Sequence, residues 1–125
     1  MVINKDNINQ FIDDTVVDCS NSGITHIEYI PEGITYLHCS NNKLTSLPNL
    51  PNSLTNLFCY NNLLTNLPIL PNSLNYLDCS DNKLTDHPTD RYDKQWFIKH
   101  NNRLKIEKRS NTIKKILTLK TSTTW

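Results

Sequence analysis

Apolar residues recur along this chain with a period of 20, and polar residues hold fixed places between them. From Ile34 the chain reads ITYLHCSNNKLTSLPNLPNS, from Leu54 LTNLFCYNNLLTNLPILPNS, and from Leu74 LNYLDCSDNKLTDHPTDRYD. An edge copy covers residues 14–33, with Val17, Cys19, Ile24, Ile27, Ile30 and Pro31 at the matching places. Cys19, Cys39, Cys59 and Cys79 mark the period without an insertion. Alternation predicts a short strand around residues 36–40, 56–60 and 76–80, because successive strand side chains face opposite sides. Leu37 and Cys39 then point inward, and Tyr36, His38 and Ser40 outward. Asn42, Asn62, Asn82 and Asn102 follow at the bend, where an amide can serve both donors and acceptors of the backbone. The return limb, Leu47-Pro48-Asn49-Leu50-Pro51 and again Leu67-Pro68-Ile69-Leu70-Pro71, predicts an extended, polyproline-like path without a helix.

Self-similarity of this form predicts a leucine-rich repeat solenoid. Short parallel strands line its concave face, extended polyproline-like limbs its convex side, and a C-terminal helix caps it. The whole of residues 1–125 then forms one domain. Residues 1–13 are its N-terminal cap, residues 14–93 four repeats, residues 94–109 a degenerate fifth repeat, and residues 110–125 the C-terminal cap with a frayed tail. The fifth repeat is degenerate because Phe97, Asn102 and Leu104 return on schedule while Lys99 occupies the cysteine place. Ile113, Ile116 and Leu117, with Ser110 as an N-cap, predict the cap helix, and a strand from Thr118 is the alternative.

The LPxLPxSLxxLxCxxNxLTxLP phrase resembles the 20-residue repeats of bacterial effector proteins of the YopM and IpaH type, and also leucine-rich repeat proteins of giant amoeba-infecting viruses. The likeness covers about residues 14–104. It implies a curved solenoid that binds host proteins.

Composition adds little to this picture except through charge and sulfur. The start MVINKDNINQF is not a signal peptide, and no run of about 18 apolar residues could span a membrane, so an intracellular, cytoplasmic location is expected. The resemblance would extend it to a host cytoplasm. Four cysteines at one repeat position lack the close C-x-x-C pairs of a thiolate zinc site, so buried free thiols in a reducing compartment are expected. Net charge is +1 but split: residues 1–90 carry three lysines against ten carboxylates, residues 91–125 ten Lys or Arg against two. Such a dipole points to an interaction end, and head-to-tail self-association is one outcome of it.

Candidate chemistry is sparse. Gly23 and Gly33, the only glycines, stand in separate turns, so no phosphate-cradling loop forms, and no metal or cofactor is expected. His38 beside Cys39 could suggest a nucleophilic pair, but strand alternation sends the two side chains to opposite faces. The expected role is a non-enzymatic protein-binding module. Its partner surface is the concave face, with Tyr36, His38, Phe58, Tyr60, Tyr76, Asp78, Trp96 and His100, since aromatics are enriched at interface centres. Cross-strand aromatic pairs that merely stabilise the sheet are the alternative. A second possibility is nucleic-acid or anionic-surface binding through the basic C-terminal residues Arg103, Lys105, Lys108, Arg109, Lys114 and Lys115, joined by Lys120.

Overall fold

The structure, a computed structural model, describes residues 1–88 and 90–123. Its elements are β1 (Val2–Ile3), a single 3-10 turn (Ile8–Phe11), β2 (Ile12–Asp13), β3 (Val16–Asp18), β4 (His26–Ile27), β5 (Tyr36–His38), β6 (Asn56–Phe58), β7 (Tyr76–Asp78) and α1 (Lys94–Thr123). One sheet runs β2-β3-β5-β6-β7, and a second consists of β1 and β4.

These elements correct the class expected from the sequence. The chain is not a solenoid but an α/β fold, a five-stranded mixed sheet followed by one long C-terminal helix. The sheet is mixed because β2 turns back antiparallel on β3, pairing Ile12 with Val17 and Asp13 with Val16. Asp14 makes that reversal possible with φ 56°, a left-handed backbone that Asp tolerates better than most residues. The expected degenerate fifth repeat over residues 94–109 is absent: those residues open α1, 30 residues long. Ser110 lies inside α1 and is no N-cap, and Asn102 is an exposed helical residue, so the asparagine ladder ends at Asn82.

Between β3 and β7 the period governs pairing. Tyr36, Leu37 and His38 pair with Asn56, Leu57 and Phe58, and these with Tyr76, Leu77 and Asp78, each 20 residues on. A period of 20 is even, so every copy keeps the same face inward. Val17, Leu37, Leu57 and Leu77 are buried in a row, and the four free cysteines are buried beside them. Ile24, Leu44 and Leu64 line the floor. The return limbs have neither helix nor strand and bury Leu67 and Leu70, with Leu47 and Leu50 half-buried.

Two polar devices turn the chain at each copy. Asn21, Asn41, Asn61 and Asp81 take φ between 53° and 57°, so an Asn or Asp stands at the left-handed bend after the strand in each of these four copies. The next asparagine turns inward: Asn62 Nδ2 donates to the carbonyls of Cys39, Cys59 and Tyr60 at 3.1, 3.2 and 3.3 Å, and its Oδ1 accepts from Leu44 N–H at 3.0 Å. Asn42 and Asn82 repeat the arrangement one copy away.

The helix closes the far end through its first three turns. Phe97, His100 and Asn101 are buried. Asn101 exchanges two hydrogen bonds of 2.7 Å with the Leu70 backbone. His100 Nε2 lies 3.0 Å from the Pro68 carbonyl, an acceptor only, and Arg103 donates to His100 Nδ1 at 3.1 Å, so the ring proton sits on Nε2. From residue 105 to residue 119 every side chain is exposed. A stop codon after Leu104 should therefore shift the unfolding free energy by only about 0.5 kcal/mol, as for other surface changes. Urea unfolding checks this, and a loss of several kcal/mol would show that the distal helix packs on the body.

Candidate functional site

The sheet face that looks away from the cysteines carries Val16 and Asp18 on β3, Tyr36 and His38 on β5, Asn56 and Phe58 on β6, and Tyr76 and Asp78 on β7. Strand spacing of about 4.8 Å brings successive rings into contact. Tyr36 and Phe58 have centroids 5.0 Å apart, Phe58 and Tyr76 4.9 Å, and Tyr76 and Tyr92 5.2 Å. His38 joins from the side at 5.4 Å from Phe58 and 6.0 Å from Tyr60. The result is a continuous ladder of rings across the face, half-buried along the strands and ending in Tyr92, 65% exposed.

Two aspartates bracket the ladder. Asp18 accepts from the Ser20 hydroxyl at 2.7 Å and stands 3.8 Å from His38 Nδ1. The Ser20 hydroxyl bond outweighs partial burial and holds the Asp18 carboxyl below its ordinary pKa. Asp78 accepts from the Ser80 hydroxyl at 2.7 Å and from Arg91 Nε at 3.1 Å. Burial pushes its pKa up, but the Ser80 and Arg91 bonds together prevail, and the net shift is downward. Both groups are thus anionic at neutral pH, and Asp78 is already neutralised locally by Arg91. His38 Nε2 and Ser40 Oγ are enclosed without a hydrogen-bond partner among the described residues.

Six of the eight residues expected on this face are there: Tyr36, His38, Phe58, Tyr60, Tyr76 and Asp78. Trp96 and His100 are not, because their segment is helical. They stack on each other with centroids 4.8 Å apart. Trp96 Nε1 donates to Asp86 at 3.0 Å, and Arg103 holds the other carboxylate oxygen at 3.0 Å. That Trp96 bond, helped by Arg103, keeps Asp86 below its ordinary pKa. Trp96 therefore fastens the helix to the loop at Asp86 and His100 fastens it to the return limb at Pro68, and neither extends the ring ladder. Tyr92 does extend it, with Arg91 beside it holding Asp78, and sequence reasoning missed both. They fall in the stretch where the repeat pattern frays, and only an aromatic beside a basic residue marks them.

The basic residues expected as a second surface all lie on α1. Arg103 is engaged with Asp86, while Lys105, Lys108, Arg109, Lys114 and Lys115 are exposed. At 100° per residue, Lys105, Lys108, Arg109 and Lys115 share about 120° of the helix circumference, and Arg103 and Lys114 lie on the other side. The Lys120 side chain lies outside the described residues.

His38 and Cys39 are on opposite faces, so they form no dyad. Burial pushes Cys19 up to about 12 and Cys79 up to about 11, and raises Cys39 and Cys59 well above the ordinary thiol value. Such thiols are neutral and inert. A thiol held neutral in the folded chain favours folding below its unfolded pKa of about 8.5. That advantage is lost as pH rises toward the folded values, because the unfolded chain releases protons that the folded chain retains. Urea midpoints should fall steadily from pH 8.5 to pH 11, and less steeply for Cys39→Ala with Cys59→Ala. A profile unchanged by that substitution would place the alkaline transition elsewhere. Among the described residues, no three His, Cys, Asp or Glu side chains converge to hold a metal, and no helix is long and apolar enough to cross a membrane.

A chain with this mixed sheet, ring ladder and projecting basic helix matches no protein-family model and no curated protein sequence.

Proposed function

We propose that the chain is a protein-binding module whose recognition surface is the ring ladder of Tyr36, Phe58, Tyr76 and Tyr92 with His38 and Tyr60. The reading assigns it no catalytic step. The observation that carries it is the continuity of the ladder: three strands and the loop after them present touching rings on one open face. Tyr and Phe bury much area with few rotors to freeze, which suits the centre of an interface. Ring pairing alone would stabilise the sheet by only about 0.5 to 1.5 kcal/mol per pair, and sheet pairing gives no reason to carry the ladder past the last strand to Tyr92. A reducing, cytoplasmic compartment suits four buried free thiols.

The test is Tyr60→Ala with Tyr76→Ala. Truncating a buried aromatic anchor costs 2 kcal/mol or more, about 30-fold in affinity. Partner capture by the double variant should fall by at least that factor, while the variant remains folded. Capture at the native level would remove this face as the interface.

One observation favours a second reading, in which α1 binds nucleic acid or another polyanion. Lys105, Lys108, Arg109 and Lys115 stand exposed along one side of a helix that projects from the body. If they track phosphates, affinity for duplex DNA should fall with salt, with a log-log slope of about −3 to −4. Absence of binding at low salt would end this reading.

A further inference from the structure

We infer that the open backbone edge just after β7, over residues 79–84, is a second binding site, which takes an extended basic peptide from a partner protein by strand addition. This site adjoins the ring ladder at Asp78 and Arg91 but does not rest on it.

After each strand the chain donates two backbone hydrogen bonds to the next copy. Cys19, Cys39 and Cys59 N–H reach the carbonyls of His38, Phe58 and Asp78 at 2.9, 2.8 and 2.9 Å, and Asn21, Asn41 and Asn61 N–H reach those of Ser40, Tyr60 and Ser80 at 3.1, 3.0 and 3.0 Å. A third donor, Leu44 or Leu64 N–H, reaches the amide oxygen of the next inward asparagine at 3.0 Å. At the last copy the residues 20 positions on are 99, 101 and 104, and their neighbours 98, 100 and 102 would hold the acceptors, but all lie in α1. Among the described residues, the N–H groups of Cys79, Asp81 and Leu84 therefore lack the acceptors that their equivalents have. Leu77 N–H, inside β7, is covered by the Arg91 carbonyl at 2.9 Å.

Beside these donors the chain leaves a cavity of about 530 Å³, bounded by Leu77, Cys79, Leu84, His87, Pro88 and Arg91. This is within the usual range of about 300 to 1,000 Å³ for ligand sites. Unpaired strand edges bind extended peptides through main-chain hydrogen bonds, and pockets for alternate side chains supply specificity. Here two carbonyls of a parallel peptide, two residues apart, would accept from Cys79 and Asp81 N–H. The side chain between them would enter the cavity against Leu77 and Leu84, which calls for a small apolar residue. Asp81 and Asp90, both exposed at the rim, call for Lys or Arg on either side of it. A docked acidic strand would instead meet like charge.

The probe is a labelled, end-blocked heptapeptide of alternating lysine and valine, with an alternating glutamate and valine peptide as control. Anisotropy should show saturable binding of the lysine peptide below about 1 mM and at least about tenfold weaker binding of the glutamate peptide. Amide exchange at Cys79 and Asp81 should slow by at least about tenfold on binding. Asp81→Asn with Asp90→Asn should weaken binding at least about fivefold; asparagine is chosen because it tolerates φ 53° at position 81. No saturation by about 1 mM overturns the inference. So does binding that slows only amides of β5 and β6, or that is lost in Tyr60→Ala with Tyr76→Ala but kept in the aspartate variant, since the peptide would then sit on the ring ladder. If Cys79 and Asp81 amides are already protected in a concentration-dependent dimer without peptide, the edge serves a second copy of this chain and the peptide assignment fails.

Discussion

Asn62→Ala should lower the unfolding free energy by about 3 kcal/mol or more, the largest loss expected from any single polar substitution in this chain. Asn62 is 5% exposed and serves four backbone groups from two copies of the repeat. Alanine removes the amide and leaves these groups without their partner in a site closed to solvent. Each buried, unsatisfied group costs about 1 to 3 kcal/mol, and some of the four recover partially by relaxation. Asn82→Ala provides the graded comparison: Asn82 makes the same bonds at the last copy but is only half-buried, so water can replace the amide. Its loss should be about half as large. Urea unfolding of the two variants measures the difference. Equal losses would mean that the cost lies in the bend itself and not in burial of the bonded groups.

Leu57→Ala should cost about 2 to 5 kcal/mol, the range for a buried leucine whose cavity cannot collapse. Leu57 is fully buried and stands between Leu37 and Leu77, its partners in register on the flanking strands. Neither neighbour can move in to fill the space, because each is fixed by its own strand pairing. Ile69→Ala, on the opposite limb and 40% exposed, should cost less than about 1 kcal/mol. A small loss at Leu57 with a comparable loss at Ile69 would contradict the assignment of core and surface faces.

The strands and their inward residues were legible in the sequence because an even period keeps one face inward at every copy. Leu37, Leu57 and Leu77, the buried cysteines, and the outward Tyr36, Phe58 and Tyr76 all follow from that arithmetic. The class was not legible, for two local reasons. Phe97 and Leu104 fit a fifth copy, yet with His100 and Asn101 they also fit helical spacing, and no proline follows to hold the limb extended. Lys99 in the cysteine place was the warning, since a lysine there would have to be buried. At the other end, Asp14 and Thr15 turn β2 back on β3, and this pair lacks the Asn-Gly or Asp-Gly signal of a two-residue hairpin. Trp96 and His100 were misplaced with their segment. Tyr92 was invisible because its position depends on how the loop after β7 returns across the sheet, which the period does not describe.

The reading of the ring ladder as an interface is tested most directly by site-specific photo-crosslinking. A photoreactive phenylalanine analogue is placed at Phe58, at the centre of the ladder, or at Ile69 on the opposite limb, and each variant is confirmed as folded by its urea midpoint. The account predicts that irradiation in the cells that make this protein yields a discrete protein adduct from position 58, none from position 69, and loss of that adduct when Tyr60→Ala and Tyr76→Ala are added. An adduct from position 69 alone, or one at position 58 that survives removal of Tyr60 and Tyr76, would contradict it.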